Sequence, residues 1–436
     1  MRIRVNLAVS LVLLLCAGAT VSAQEQPTVV PPPVRLADLL AEAEQNHPSI
    51  RAVERLVDAK RARVSQAKAL PDPKLSVGWM GNITPFDVQV GDPSSYRSIS
   101  AMQEIPFPGK LALRGEIAAK GADAETWNVE AARRRVRAEV KFAYYELWGV
   151  HKAIETNERD KDLLEKFARI AEEKYKVGKG LQQDVLRAQV EVSRILLRLA
   201  MLGQRRQTLE ARLNSLRLRP ADSLLGSLPA DINKSGLPYS LDELIQHGAE
   251  NDPEVRRQGQ LIEQGQLAVN LAHRELYPDL SVGYMYQNRP RMPEMHGFTF
   301  TINLPIFYKS KQRQAEKEAS LMVESVQQTR EAIRTELLFK IKEQYIAAKT
   351  SEELLSLYSK ALVPQSALTL ESSMAAYQVG SLDFLSLITN FITVLDYENS
   401  YFEELARYQQ ALARLEELTG IELDGASGTL PEARKP

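Results

Sequence analysis

Apolar and polar positions follow two different periods along the chain, and each period occupies its own stretches. From Val185 onward the apolar residues Ala188, Val192, Ile195, Leu199, Leu202, Leu209, Leu213 and Leu216 advance by alternating steps of three and four, with only Arg206 out of character. The same steps return in Phe384, Leu387, Phe391, Val394, Tyr401, Leu405, Tyr408, Leu412 and Leu415, with Glu398 as the misfit. Such a seam belongs to helices packed lengthwise on partner helices. Before each seam lies a long helical stretch. Residues 110–177 contain no proline, and a rise of about 1.5 Å per residue would carry an unbroken helix over about 100 Å. The matching stretch, 309–379, holds Pro364, which is expected to kink or divide it.

The second period is two. Leu75, Val77 and Trp79 alternate with Ser76, Gly78 and Met80, and Leu280, Val282, Tyr284 and Tyr286 alternate with Ser281, Gly283, Met285 and Gln287. Further on, Ile99, Ala101 and Ile105 are set against Ser100 and Glu104, and Phe298, Phe300, Ile302 and Leu304 against Thr299, Thr301 and Asn303. Alternation of this kind predicts strands with one apolar and one polar face. Each second strand stops at a proline, Pro106 or Pro305, and a basic helical segment follows from Lys110 or Lys309.

Every element comes twice. Asn46, Pro48, Leu75, Ser76, Val77 and Gly78 recur 205 positions later as Asn251, Pro253, Leu280, Ser281, Val282 and Gly283. Tyr175, Val177 and Gly178 recur as Tyr377, Val379 and Gly380. A period this long is a whole duplicated subdomain rather than a solenoid unit. The expected layout is a first repeat over 36–219, a linker over 220–240 and a second repeat over 241–420. An extended Pro-rich lead-in at 24–35 and a flexible tail at 421–436 complete it.

Composition narrows the setting. Arg2 and Arg4 precede an uncharged run that ends in Val21-Ser22-Ala23, the pattern of a cleaved export signal over residues 1–23. Cys16, the only cysteine, follows three leucines, whereas a lipidated cysteine wants a small residue before it. Its loss with the leader excludes disulfides and thiolate metal sites. The 55 basic and 56 acidic residues nearly cancel, and losing Arg2 and Arg4 makes the balance more acidic, which argues against a nucleic-acid surface. After the leader no apolar run reaches the roughly 18 residues of a spanning helix, so membrane entry must be by strands. Four strands are too few to close a barrel, and open edges in lipid cost several kcal/mol per unpaired group, so several chains must share one barrel. In that barrel Trp79, Tyr284, Phe298 and Phe300 would face lipid, and Ser281, Thr299, Thr301 and Asn303 a wet lumen.

The two copies, the strand pair in each, the Tyr-x-Val-Gly turns and the long helices resemble the TolC-type outer membrane efflux proteins over nearly all of the mature chain. The resemblance implies a mixed α and β fold. Four transmembrane strands per chain would contribute to a shared twelve-stranded barrel in a homotrimer, continuous with a helical coiled-coil tunnel in the periplasm of a Gram-negative bacterium. It further implies an outer-membrane exit duct that receives cargo from an inner-membrane pump, of the RND type, and a periplasmic adaptor. Tyr175, Val177, Gly178, Tyr377, Val379 and Gly380 would form the periplasmic tip that meets the adaptor. The family's gating aspartates fall here on Ser386 and Thr389, so that gate does not carry over directly. Asp184 and Asp383 are the carboxylates near the tip. Repeated by symmetry they would form a cation-favouring ring, although Asp383 also suits an ordinary helix N-terminal acid.

The run Gln103-Glu104-Ile105-Pro106-Phe107-Pro108-Gly109-Lys110-Leu111 resembles the strand-to-helix joint of the CusC and CzcC branch, which serves heavy-metal exporters. Prolines and a glycine are also what any strand uses to turn into a helix. Met292, Met295 and His296 are soft-ligand types in an outer hairpin loop. His47, His151, His247 and His273 show no paired ligand spacing, so no resident metal or cofactor is expected. No phosphate loop, Ser/His/Asp set or zinc signature points to an enzyme. A duct for drugs or a secreted polypeptide stays open, as does a periplasmic coiled-coil adaptor or scaffold.

Overall fold

The computed structural model describes residues 34–82, 87–232 and 236–423. The expected leader with Cys16, the lead-in up to residue 33 and the tail from residue 424 lie outside them.

The first repeat runs α1 (Leu36–Asn46), α2 (Pro48–Lys68), β1 (Lys74–Met80), β2 (Tyr96–Ile105), α3 (Lys110–Lys176) and α4 (Gln182–Leu216). The second runs α5 (Leu241–Asn251), α6 (Pro253–Arg274), β3 (Leu280–Asn288), β4 (Met295–Ile302), α7 (Gln312–Leu357), a π-helical turn (Tyr358–Leu362), α8 (Val363–Gln378) and α9 (Phe384–Thr419). In both repeats a proline at the first helical position separates the two short helices, because its fixed φ starts a helix while its ring ends the previous one. Asp252 caps the second of these junctions by accepting the Val255 amide at 2.9 Å.

α3 is a single helix of 67 residues. In the second repeat α7, the π turn and α8 form one uninterrupted rod over 312–378. Pro364, expected to kink or divide it, leaves the rod continuous and sits in the first turn of α8, directly after a change of helical pitch. In α geometry its ring would crowd the carbonyl of Lys360, and the wider turn just ahead relieves that clash.

The strands form one antiparallel sheet in the order β1-β2-β3-β4, so the two hairpins join through β2 and β3. Its register puts Trp79, Ala101, Tyr284, Phe298 and Phe300 on one face, and Ser281, Thr299 and Thr301 on the other. Asn303, expected with the polar set, lies one residue past β4, and its amide donates to the Asp279 carbonyl at 3.1 Å. β1 and β4 are edge strands within the chain.

Beside the sheet, α3 packs between α2 and α6, and α6 packs on α7. Farther along, α3 lies between α4 and α9, with α9 also against α7 and α8. The heptad seams supply the packing. Ala188, Ile195, Leu209, Leu213 and Leu216 are buried on α4, and Phe384, Leu387, Phe391, Leu405, Tyr408, Leu412 and Leu415 on α9. Glu398, the misfit in α9, pairs with Arg159 of α3.

The flexible tail expected from residue 421 needs correcting. Ile421 and Leu423 are buried in the cluster that contains Trp148, Tyr408 and Leu415. Burial of such side chains contributes about 1.5–3 kcal/mol each, enough to hold this segment down. The linker is also packed, for Trp148 donates its indole N–H to the Pro229 carbonyl at 3.1 Å.

Candidate functional site

The two Tyr-x-Val-Gly reversals have the same backbone geometry. α3 ends at Val177 with Gly178 at φ 73°, and α8 ends at Val379 with Gly380 at φ 79°. In the first, the Lys179 amide donates to the Lys174 carbonyl and the Gly178 amide to Tyr175. In the second, the Ser381 amide donates to Ala376 and the Gly380 amide to Tyr377. This pairing satisfies the last free carbonyls of each helix and requires a left-handed residue, which glycine supplies without a Cβ clash. Val177 and Val379 stand 66% and 81% exposed at the two turns, a pair of apolar knobs in water.

The tyrosines of the two motifs differ. Tyr175 is exposed, whereas Tyr377, expected beside it on the tip surface, is only 6% exposed and packs on Phe384. Lys174 of the first repeat donates to the Tyr377 carbonyl at 2.6 Å, and its ammonium lies 3.9 Å from the centre of the Tyr377 ring. Burial first, and then the negative charge of Asp184, push the Tyr377 phenol above its ordinary pKa. The clamp thus joins residues from α3, α4 and α8.

Of the four constriction candidates, Asp383 caps α9 by accepting the Ser386 amide at 2.9 Å and the Ser386 hydroxyl at 2.7 Å. These bonds hold its carboxyl below the usual range. Ser386 is therefore committed to the cap, and Thr389 donates to the Leu385 carbonyl of its own helix at 2.8 Å. Asp184 sits inside the first turn of α4 and acts across the repeats, on Tyr377.

A second constellation lies where strands become rods. Lys110, 3% exposed, donates to Asp279 Oδ1 at 2.8 Å and to the Tyr277 carbonyl at 3.0 Å. The Phe107 amide reaches the same carboxylate oxygen at 2.7 Å, and the Phe107 and Tyr277 rings stack at 4.7 Å. Burial alone would raise the Asp279 pKa, but the Lys110 ammonium and the Phe107 amide outweigh it and hold the carboxyl low. Gly109 sits at φ 89°, and the Arg274 guanidinium, which donates to the Pro108 carbonyl at 2.9 Å, fills the space a side chain there would need. Residues 103–111 therefore bind the two repeats together at the base of the sheet.

The soft-ligand trio does not converge. Met295 and His296 are successive residues of β4 and point to opposite faces, and His296 Nδ1 bonds the Tyr284 hydroxyl at 2.7 Å. Among the described residues no group of three or more His, Cys, Asp or Glu side chains is placed to hold a metal ion. Among them, too, no helix is long and apolar enough to cross a membrane.

The family model described as outer membrane efflux protein matches the chain twice, over residues 39–217 and again over 244–421. This chain belongs to the outer membrane efflux protein family. The two matched segments coincide with the two repeats, so each repeat is one copy of the family's unit. The fold of this efflux protein is similar to that of a membrane protein from Pseudomonas aeruginosa, at TM-score 0.76 and 18% identity, covering 88% of this chain and 93% of that one. VceC from Vibrio cholerae gives a TM-score of 0.74 at 16% identity, over 88% of this chain and 96% of that one. CusC gives a TM-score of 0.73 at 15% identity, over 88% and 91%. No curated protein sequence matches the chain.

The sequence marks neither the role of Lys174 nor the pairing of Lys110 with Asp279. Their one legible signal is a cation in the last turn of α3 and another in its first turn, and the second is unusual because a helix N-terminus favours acids.

Proposed function

We propose that three copies of this efflux protein assemble into the outer-membrane exit duct of a tripartite exporter, with the helices projecting into the periplasm. The observation that carries this reading is the sheet. It has an apolar face with Trp79, Tyr284, Phe298 and Phe300, a hydroxyl-bearing face with Ser281, Thr299 and Thr301, and two edge strands. An antiparallel sheet with an even number of strands ends in edges of opposite direction, so β4 of one copy can pair antiparallel with β1 of the next. Closure removes the edges, and three copies give a barrel within the known range of even strand numbers.

The helical layer supports the same assembly. β1 follows α2 and β4 precedes α7, so the edges of the sheet continue the outer flanks of the layer. On one flank α4 exposes Leu186, Val190, Leu197 and Met201, and on the other Leu354, Leu357 and Leu368 are exposed. Each set offers the other an apolar surface to cover. At the far end, Val177 and Val379 are the apolar anchors for a periplasmic adaptor, which couples the duct to an inner-membrane pump of the RND type. The duct itself is passive. Residues 103–111, similar to the CusC and CzcC branch, favour heavy-metal cations as cargo over drugs or polypeptides.

The test is the state of the purified chain. Heat-modifiable trimers in the outer-membrane fraction that conduct ions in planar bilayers are expected. A soluble, non-conducting species would replace this reading with that of a periplasmic coiled-coil scaffold.

A further inference from the structure

One face of the sheet carries side chains that its polarity does not explain. Opposite Trp79 and Phe300 in parity stand Ser76, Ser98, Ser100, Ser281, Thr299 and Thr301, and among these hydroxyls stand Met102, Met285 and Met295. Met102 is paired with Gly283, Met285 with Gly297, and Met295 with Gln287. Each methionine is therefore one diagonal step from the next across β2, β3 and β4, a separation that long side chains span.

Two of the side chains reach straight across to the next strand. The Met102 methyl lies 3.8 Å from where a Cβ on Gly283 would stand, and the Met285 methyl 3.7 Å from the same point on Gly297. These two thioethers thus lean over the glycines that lie beside the next methionine of the row. The Gln287 amide donates to Met285 Sδ at 3.7 Å. Met102 and Met295 are 41% and 46% exposed, so core packing does not account for them. Contact with lipid does not either, because Phe298 and Phe300 point the other way. Valine or isoleucine would fill the same space with better strand propensity. What methionine adds is a polarisable, uncharged sulfur donor.

We propose that Met102, Met285 and Met295 form a row of thioether ligands on the lumen wall that takes soft monovalent cations of the silver(I) and copper(I) class. This rests on the duct reading, since it needs that face to line the lumen. Thioethers select soft ions over magnesium or calcium. A row of uncharged donors, two exposed and one half-buried, also gives weak binding at several successive positions, which is what passage requires, because an ion must be able to leave each site. Three copies would place three such rows around one exit.

The experiment uses the full chain, purified in detergent, and its Met102→Ile/Met285→Ile/Met295→Ile variant. Silver uptake is measured by equilibrium dialysis in chloride-free buffer, with magnesium as the hard-ion control. The variant should bind silver at least about tenfold more weakly, the lower end of what even an outer-shell ligand change costs, with magnesium unchanged. Equal silver uptake by the two proteins overturns the proposal. Bilayer conductance on the same preparations separates the two readings. Pores with equal silver uptake sink only the thioether row, whereas absence of pores in the unaltered protein sinks the duct and this inference with it. Should the triple variant fail to assemble, Met285→Ile alone decides on the same criterion, against Met201→Ile on α4. As a check on sidedness, a cysteine replacing Met285 must react with a membrane-impermeant thiol reagent and one replacing Phe298 must not. The reverse result removes the lumen placement.

Discussion

Lys174 of the first repeat holds Tyr377 of the second by two different atoms of the same residue, its carbonyl oxygen at 2.6 Å and its ring at 3.9 Å. One ammonium therefore ties the end of α3 to the end of α8. Lys174→Met should free the two hairpins from each other. A cation over an aromatic ring at a partly exposed site contributes about 1 kcal/mol, so the ratio of undocked to docked hairpins should rise about fivefold. Protease cleavage at the two reversals should increase accordingly, and Lys174→Arg should restore much of the protection.

At the other end of α3, Lys110→Met should leave the Asp279 carboxylate facing a buried gap. Removing one partner of a buried pair costs about 3 kcal/mol, most of it the stranded charge. The assembled species should dissociate at lower temperature on heating, and Lys110→Met/Asp279→Asn should recover much of the loss. Equal melting of the single and double variants would remove the ion pair from the account.

Gly178 and Gly380 have open space where a Cβ would go, so substitution there meets only the backbone. Gly380→Ala must hold alanine at φ 79° and should destabilise by about 1–2 kcal/mol. Gly259→Ala, in the interior of α6 with equally open surroundings, should instead stabilise by about 0.4–1 kcal/mol. Thermal unfolding of the two variants should shift in opposite directions.

The Asp383 cap sets a pH dependence at the tip. Its carboxyl pKa is lowered from 3.8 by the Ser386 amide and hydroxyl. The contribution of the cap is therefore complete above that unfolded value and is lost as pH falls through the lower folded one. Protease cleavage in the reversal before α9 should increase as pH drops below about 4. Asp383→Asn keeps a capping oxygen but no titration, so its cleavage should hardly change over the same range.

How far the fold can be read from residues alone depends on the range of the interaction. α1 begins at Leu36 and α3 at Lys110, as the helical period indicates, because proline-bearing sequence that cannot be helical ends just before each start. The left-handed turns at Gly178 and Gly380 are legible on equally local grounds. The Lys110–Asp279 pair spans 169 positions, so the cation in the first turn of α3 says nothing of its partner. Tyr175 and Tyr377 share one motif, and what buries the second is Phe384 and Lys174, brought in by other helices. Ile421 and Leu423 are two apolar residues without a period, so only the core that receives them shows their role. The diagonal of Met102, Met285 and Met295 exists only once the register of three strands is known.

The π turn before Pro364 has a genetic consequence. A residue advances an α-helix by about 100°, but a wider turn that takes up one extra residue absorbs that advance, so the side chains after it face as they would in a regular α-helix one residue shorter. Deleting a single codon within 358–362 would therefore keep the reading frame, every motif downstream and the face that Tyr377 turns to Lys174. Two homologous genes that differ by that one codon would encode rods of nearly equal length whose ends still face each other.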